Sequence, residues 1–402
     1  MKKIFVLFLL VLGAQGVKAQ LFSLGLVEES NIEREIPNGI KRGYFYFIPE
    51  IKFIGDNLLY VGTPNGLYKC DISVPTSVEW EKLPITDDII EDFEVRGDTI
   101  IVLSRKELLL SIDGGMTVLG RFSDTIFLDT IDYVVRELHN IAVCPNDARK
   151  IYVAHEIGYL SYTDDFGLNW SRVSDTGLAD LYYSPHNPDH LVGYNNSKVT
   201  DATGAYVSTD GGLNWEYARR ISGTIGETYR IAFHPANADR LVACGNGVYA
   251  LSDDGGTSWN RIYLEGYEQY QTPAANIFDV VYDKRNPDIL YGASQYSFLY
   301  REDIDTMKVV RSTDGGSTWS EFFAEPMNNQ GHLLRMDIKD NILALYTSAN
   351  GIYLLDVDVV TTSVSGIEKD VLDTPYYDLQ GRPVANPARG IYIKDGRKIA
   401  VD

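Results

Sequence analysis

One position in the chain gathers the side chains that could do chemistry. Aligning short apolar stretches on Pro145, Pro185, Pro235 and Lys284 places Asn140, Asp180, Arg230 and Asp279 at equivalent sites just before an inner strand, with Arg335 equivalent in the last unit. The residues immediately before three of them are His139, Tyr229 and Phe278, a polar and aromatic mix suited to stacking on a sugar or clasping a peptide. Two carboxylates near an arginine, Asp180 and Asp279, could act as acid and base in glycoside cleavage, where the carboxyl separation decides the mechanism. The alternative is that these charges pair with one another and hold water. No GxSxG, HExxH or calcium-loop phrase is present, and the Gly-Gly pairs are turn chemistry and not a phosphate cradle. No metal ligand set or cofactor fingerprint emerges.

The elements that must position these residues form an internal repeat. The phrase Ser-x-Asp-x-Gly-x-Thr/Asn/Ser-Trp, hereafter the box, occurs around Asp210 and Trp215, Asp254 and Trp259, and Asp314 and Trp319. Looser copies surround Asp165 and Trp170, and Asp113, where Val118 replaces the tryptophan. The spacing from Trp170 to Trp215 to Trp259 is that of a four-stranded blade. A longer step to Trp319 implies an insertion around 296–309. Apolar strands broken by Pro-Asn/Asp turns precede each box, as in Ile141-Ala-Val-Cys-Pro145 and Ile231-Ala-Phe-His-Pro235. In the box, Asp can bond turn amides, Gly supplies a positive φ and Trp packs beneath, so its role is structural. With weaker units over 51–80, 93–118 and 336–360, the expectation is an all-β propeller of seven four-stranded blades. Six or eight blades also fit, with a closing strand from either terminus.

The ends read differently. Lys2 and Lys3, the apolar run 4–12 and Val17-Lys18-Ala19 form a secretory leader, residues 1–19, too short to be a transmembrane anchor. Propeller residues 20–362 follow, then a linker and short β-hairpins over 363–402. Loss of the leader leaves 33 basic against 56 acidic residues, which disfavours nucleic acid and anionic lipid as partners. Cys70, Cys144 and Cys244 are odd in number and far apart, the pattern of small buried residues.

The five boxes resemble the Asp-box, or BNR, repeats of sialidases, sortilin-type ectodomains, xyloglucanases and photosystem II assembly factors. The segment Tyr377-Asp-Leu-Gln-Gly381-Arg-Pro-Val, with Gly390-Ile-Tyr-Ile and Gly396-Arg-Lys398, resembles the C-terminal sorting domain of type IX secretion in Bacteroidetes, although this copy is short and ends in Asp402 where lysine is usual. These resemblances imply an exported protein, located in the periplasm, on the outer-membrane surface or outside the cell. Its tail would engage secretion or cell-surface machinery. In such families the box lies away from the ligand face, so function rests on the channel mouth, where a glycan or a protein would bind. The arginine triad and Arg-Ile-Pro phrase of sialidases are not matched: only Arg34-Glu-Ile-Pro37 comes near.

Overall fold

The computed structural model describes residues 21–25, 31–32, 45–46, 50–104, 107–123, 138–155, 159–174, 177–178, 180–195, 204–219, 227–246, 248–262, 276–295, 306–326, 333–347 and 351–359. It also describes the tail strands 376–377, 383–384, 390–394 and 397–401. The leader at 1–19 and the possible insertion residues 296–305 lie outside them. Residues 306–309 of the expected insertion belong to the strand Thr306–Ser312.

Seven four-stranded antiparallel sheets follow one another along the chain. Their innermost strands are Ile51–Ile54, Ile90–Arg96, Leu138–Val143, Asp180–Tyr183, Glu227–Phe233, Asn276–Tyr282 and Leu333–Lys339, and these open blades one to seven in order. Second strands such as Thr99–Ser104 and Ile342–Thr347 are almost wholly buried, because a blade has a neighbour on both faces; their sequences are accordingly near-continuous apolar runs and not alternating ones. Outer strands such as Glu81–Lys82 are exposed. Among the described residues, seven apolar clusters each span the joint between two consecutive blades, the last pairing Tyr346 and Leu354 of blade seven with Ile51 and Leu59 of blade one. A cluster at every joint closes the ring.

The closing strand comes from the N-terminal side. Leu21–Gly25 pairs antiparallel with Gly351–Asp356 as the fourth strand of blade seven. Trp80 of blade one donates its indole N–H to the Leu24 carbonyl at 2.8 Å, tying that strand to the next blade. The chain divides after Val360 into a second compact unit. There Tyr376–Tyr377, Pro383–Val384, Gly390–Lys394 and Arg397–Val401 form a four-stranded sheet of their own.

The five boxes fold by the same turn bonds, and the four with a tryptophan add an indole bond. In blade five, Ser252 Oγ donates to Asp254 Oδ1 at 2.9 Å and accepts from Gly256 N at 2.9 Å; Asp254 also accepts from the Ser258 amide at 2.8 Å, and Trp259 Nε1 donates to the Gly256 carbonyl at 2.8 Å. Both turn residues after the aspartate have positive φ, which explains Gly-Gly. The exception is Phe166 of blade three, at φ 61°, in a conformation that costs a non-glycine residue about 1–2 kcal/mol.

Candidate functional site

In six of the seven inner strands the residue at the aligned position is buried or half-buried immediately after a β-bulge or at the strand start, and blade one supplies its counterpart at Glu50. The bulges fall between Ile90 and Asp92, Leu138 and Asn140, Thr228 and Arg230, Ile277 and Asp279, and Leu333 and Arg335. Asp180 opens its strand opposite Tyr194, and Glu50 accepts the Gly62 amide through its carbonyl at 2.9 Å. The ring is therefore Glu50, Asp92, Asn140, Asp180, Arg230, Asp279 and Arg335. Sequence alignment identified five of these and missed Glu50 and Asp92. The signal for Asp92 was present: Asp92-Phe-Glu-Val95 has the pattern of Asn140-Ile-Ala-Val143. His139 and Tyr229 sit at bulged positions of strands, but their side chains lie outside the described residues. Phe278 is likewise the bulged residue of its strand and is half-buried.

The ring has two physical jobs. The first is to staple blades together. Asp92 Oδ2 accepts the Ile141 amide of the next blade at 3.1 Å and the Asn140 side-chain amide at 3.1 Å. Asn140 Oδ1 in turn accepts the Leu181 amide at 3.0 Å, and Asp279 Oδ2 accepts that of Met336 at 2.8 Å. Arginine cannot accept a hydrogen bond. In blade seven, where the ring residue is Arg335, the acceptor moves two residues on, and Asp337 takes the Phe53 amide at 2.7 Å.

The second job is charge neutralisation. Arg230 lies 3.2 Å from Glu50 and 3.4 Å from Asp279; Arg335 lies 3.2 Å from Glu50 and 3.8 Å from Asp279. This quartet joins blades one, five, six and seven. Burial pushes Glu50 upward, but Arg230, Arg335 and Lys52 outweigh it and hold its carboxyl below the usual range. For Asp279, fully buried, desolvation wins over the two arginines and the carboxyl is raised. Lys52 is 3.2 Å from Asp92 and 3.8 Å from Glu94. Burial lifts Asp92 to about 6 despite Lys52. Asp180 accepts the Tyr194 hydroxyl.

A cavity of about 400 Å³ to which all seven blades contribute is lined by Glu50, Asp92, Asn140 and Arg230 of the ring and by Lys52, Glu94, Tyr182, Lys284 and Asp337 beyond it, but not by Asp180, Asp279 or Arg335. Asp180 and Asp279, the carboxylates considered for acid and base roles, thus sit in different arrangements: one against a tyrosine of its own blade, the other inside the arginine quartet. Among the described residues, no three His, Cys, Asp or Glu side chains gather closely enough to ligate an ion. Cys70, Cys144 and Cys244 are buried thiols.

No protein-family model matches the sequence. The chain is 25% identical over 221 residues to a xyloglucanase of Paenibacillus sp, a match covering 48% of this chain and 21% of that enzyme. It thus spans less than a third of the curated xyloglucanases it matches. Among solved structures it resembles the GH74 xyloglucanase from Xanthomonas campestris, with a TM-score of 0.59 and 14% identity, over 84% of this chain and 53% of that one. It also resembles YCF48 bound to D1 peptide, with a TM-score of 0.53 and 16% identity, over 87% and 97% of the two chains. At such identities the likeness concerns the fold. The chain is a seven-bladed β-propeller.

Proposed function

We propose that the protein is an exported, non-catalytic recognition module of the Asp-box type, binding a glycan or a protein ligand at the mouth of its channel. One observation carries this reading: the carboxylates of the ring are already engaged. Asp92 and Asp279 hold backbone amides of the next blade, Glu50 and Asp279 neutralise two arginines, and Asp180 accepts from Tyr194. A general acid must release its proton to the substrate, and breaking the contacts of Glu50, Asp92 and Asp279 would loosen the blade joints. Among the described residues, Tyr182 and Lys284 line the cavity without bonding the next blade's backbone, although Tyr182 also packs against the joint of blades four and five, and they suit stacking and polar contact with a ligand. The leader at 1–19 would direct export, and the 363–402 segment would serve as a type IX sorting signal that engages secretion or cell-surface machinery.

The test is a panel of xyloglucan oligosaccharides, β-glucans and sialosides, assayed for both binding and hydrolysis. Binding without turnover, weakened by Tyr182→Ala, is the expected result. The second reading, a glycoside hydrolase using Asp180 and Asp279, is favoured by the sequence similarity to xyloglucanases. Turnover abolished by Asp180→Asn or Asp279→Asn in a variant that remains folded would replace the first reading with the second.

A further inference from the structure

The boxes of the seven-bladed ring share one fold but not one surface. The residue after the second turn glycine is the tip of the box, and it is Met116, Leu168 and Leu213 in blades two, three and four, against Thr257 and Ser317 in blades five and six. The three apolar tips are 56%, 76% and 56% exposed. Such residues singly need no explanation, but the same exposed type at the same place on three consecutive blades is a patterned surface.

Leu213 also edges a hollow of about 270 Å³ between blades three and four. Its origin is visible by comparison with the neighbouring joints. In blade four, His190 at the end of the first hairpin turn reaches the Gly255 carbonyl of the next box, at 2.8 Å. In blade five the equivalent Arg240 lies against the box of blade six and within 3.4 Å and 3.8 Å of Asp253 and Asp288. In blade three the equivalent is Lys150, which stays exposed, and the Gly211 carbonyl is taken instead by the hydroxyl of Tyr152 at 2.6 Å. The floor that remains is aromatic: Tyr152 packs against Tyr162 and Tyr183 with centroids 4.7 and 6.1 Å away. The hollow falls below the roughly 300–1,000 Å³ of small-molecule sites, so it fits one side chain.

Carboxylates outnumber bases around it, although Lys150 is exposed on its lining. Asp164, Asp189 and Asp210 are exposed at or near the edge, whereas Arg149 is paired with Asp147 at 2.8 Å. Turn hydrogen bonds hold Asp113 and Asp165 at about 2, so both stay ionised at any ordinary pH. An acidic rim with an aromatic-floored hollow and an apolar row complements a basic segment carrying an aromatic anchor and an aliphatic neighbour.

We infer that the box rim of blades two to four is a docking surface for an extended, basic segment of another protein, which inserts one aromatic side chain between blades three and four and lays an aliphatic one on Leu168. This surface shares Tyr183 with the lining of the central cavity, and the inference does not rest on the channel's ligand.

The probe is a fluorescein-labelled peptide, Gly-Lys-Tyr-Lys-Leu-Arg-Gly, titrated with the full chain, alongside a peptide with glutamate for each base and one with serine for tyrosine and leucine. Saturable binding of the first peptide alone is expected, weakened about tenfold by Leu213→Ser and by a smaller factor by Leu168→Ser. Both side chains are exposed, so melting temperature should be unaffected and a folding defect is separable from a binding one. Lack of saturation by about 1 mM, the weak end of specific recognition, would overturn the inference, as would equal binding of the acidic peptide or of Leu213→Ser. Concentration-dependent self-association abolished by Leu213→Ser would overturn it too, since the occupant would then be a second copy of the chain.

Discussion

The inner ring and the outer boxes stabilise the same blades by opposite means. Each box is closed within about eight residues of chain: a serine or threonine, an aspartate, two turn residues and, in four copies, a tryptophan satisfy one another. The ring is closed only through space. Arg230 meets Glu50 from a position 180 residues away, and Asp337 meets the Phe53 amide 284 residues back along the chain. A box can form before the propeller does, whereas the quartet exists only once blades one, five, six and seven are assembled. The ring's contacts therefore report closure, and the boxes report local folding.

The largest effect should come from the ring. Arg335→Met leaves Glu50 and Asp279 sharing Arg230 alone in a buried setting, and breaking such a network typically costs about 3–5 kcal/mol. Denaturant unfolding measures it; a loss under 1 kcal/mol would mean that the quartet is solvated and not a closure device. In the boxes, Trp259 is buried and packs against Ile231 and Leu241, and Trp259→Ala should cost about 3–5 kcal/mol as large core truncations do. Ligand binding per folded molecule should survive it. An equally stable variant that loses its ligand would place the box in the recognition surface and break the distinction.

Asp92 gives the comparison a pH axis. Burial raises its folded-state pKa to about 6, above the ordinary carboxylate value, so the folded chain holds this proton more tightly than the unfolded one. The stabilisation is fully present below the unfolded pKa and is lost as pH rises through about 6. The box aspartates have lowered values, and what they contribute is lost as pH falls. Asparagine already performs the blade-stapling role at Asn140. Asp92→Asn should therefore keep the Ile141 bond, and its stability relative to the parent should increase by about 1–3 kcal/mol between pH 4 and pH 7. A difference independent of pH would show that Asp92 stays ionised beside Lys52 throughout. A smaller effect is expected in the boxes: Asp254→Ala should cost about 1–2 kcal/mol through unsatisfied turn groups, with no comparable pH profile near 6.

The same contrast explains what could be read from the chain. Boxes are local, so residue type at fixed spacing announced the strands, the turns and the blade period. The ring position was found where a proline-marked turn followed it, as at Asn140, Asp180 and Arg230, and alignment of the units carried it to Asp279 and Arg335. It was missed at Glu50 and Asp92, whose units carry no such proline and a weak or tryptophan-less box. The partners were invisible at every position, because which blade Arg230 faces depends on the closure of the whole ring. Closure itself was left open by the sequence, since Leu21-Phe-Ser-Leu-Gly25 has no box near it; the strand is defined by its pairing with Gly351–Asp356 and by Trp80.

That closure makes the smallest prediction the most discriminating. All seven blades draw their four strands from residues 21–356, and the four strands of 376–401 form a separate sheet. Removing residues 361–402 should leave the melting temperature of the purified propeller within about 2 °C of the parent, since no blade loses a ladder and a domain of this size shifts about 2–4 °C for each kcal/mol. Removing Leu21–Gly25 is the matched control: it strips the outer strand from blade seven, exposes the Gly351–Asp356 edge and should bring aggregation. In a host with type IX machinery, the tail truncation should in addition stop export or surface attachment while leaving the periplasmic protein folded. A tail-less protein that precipitates as the strand deletion does would show that the propeller depends on residues 361–402. The sorting role proposed for them would then lose its ground, because a failure of export would follow from misfolding alone.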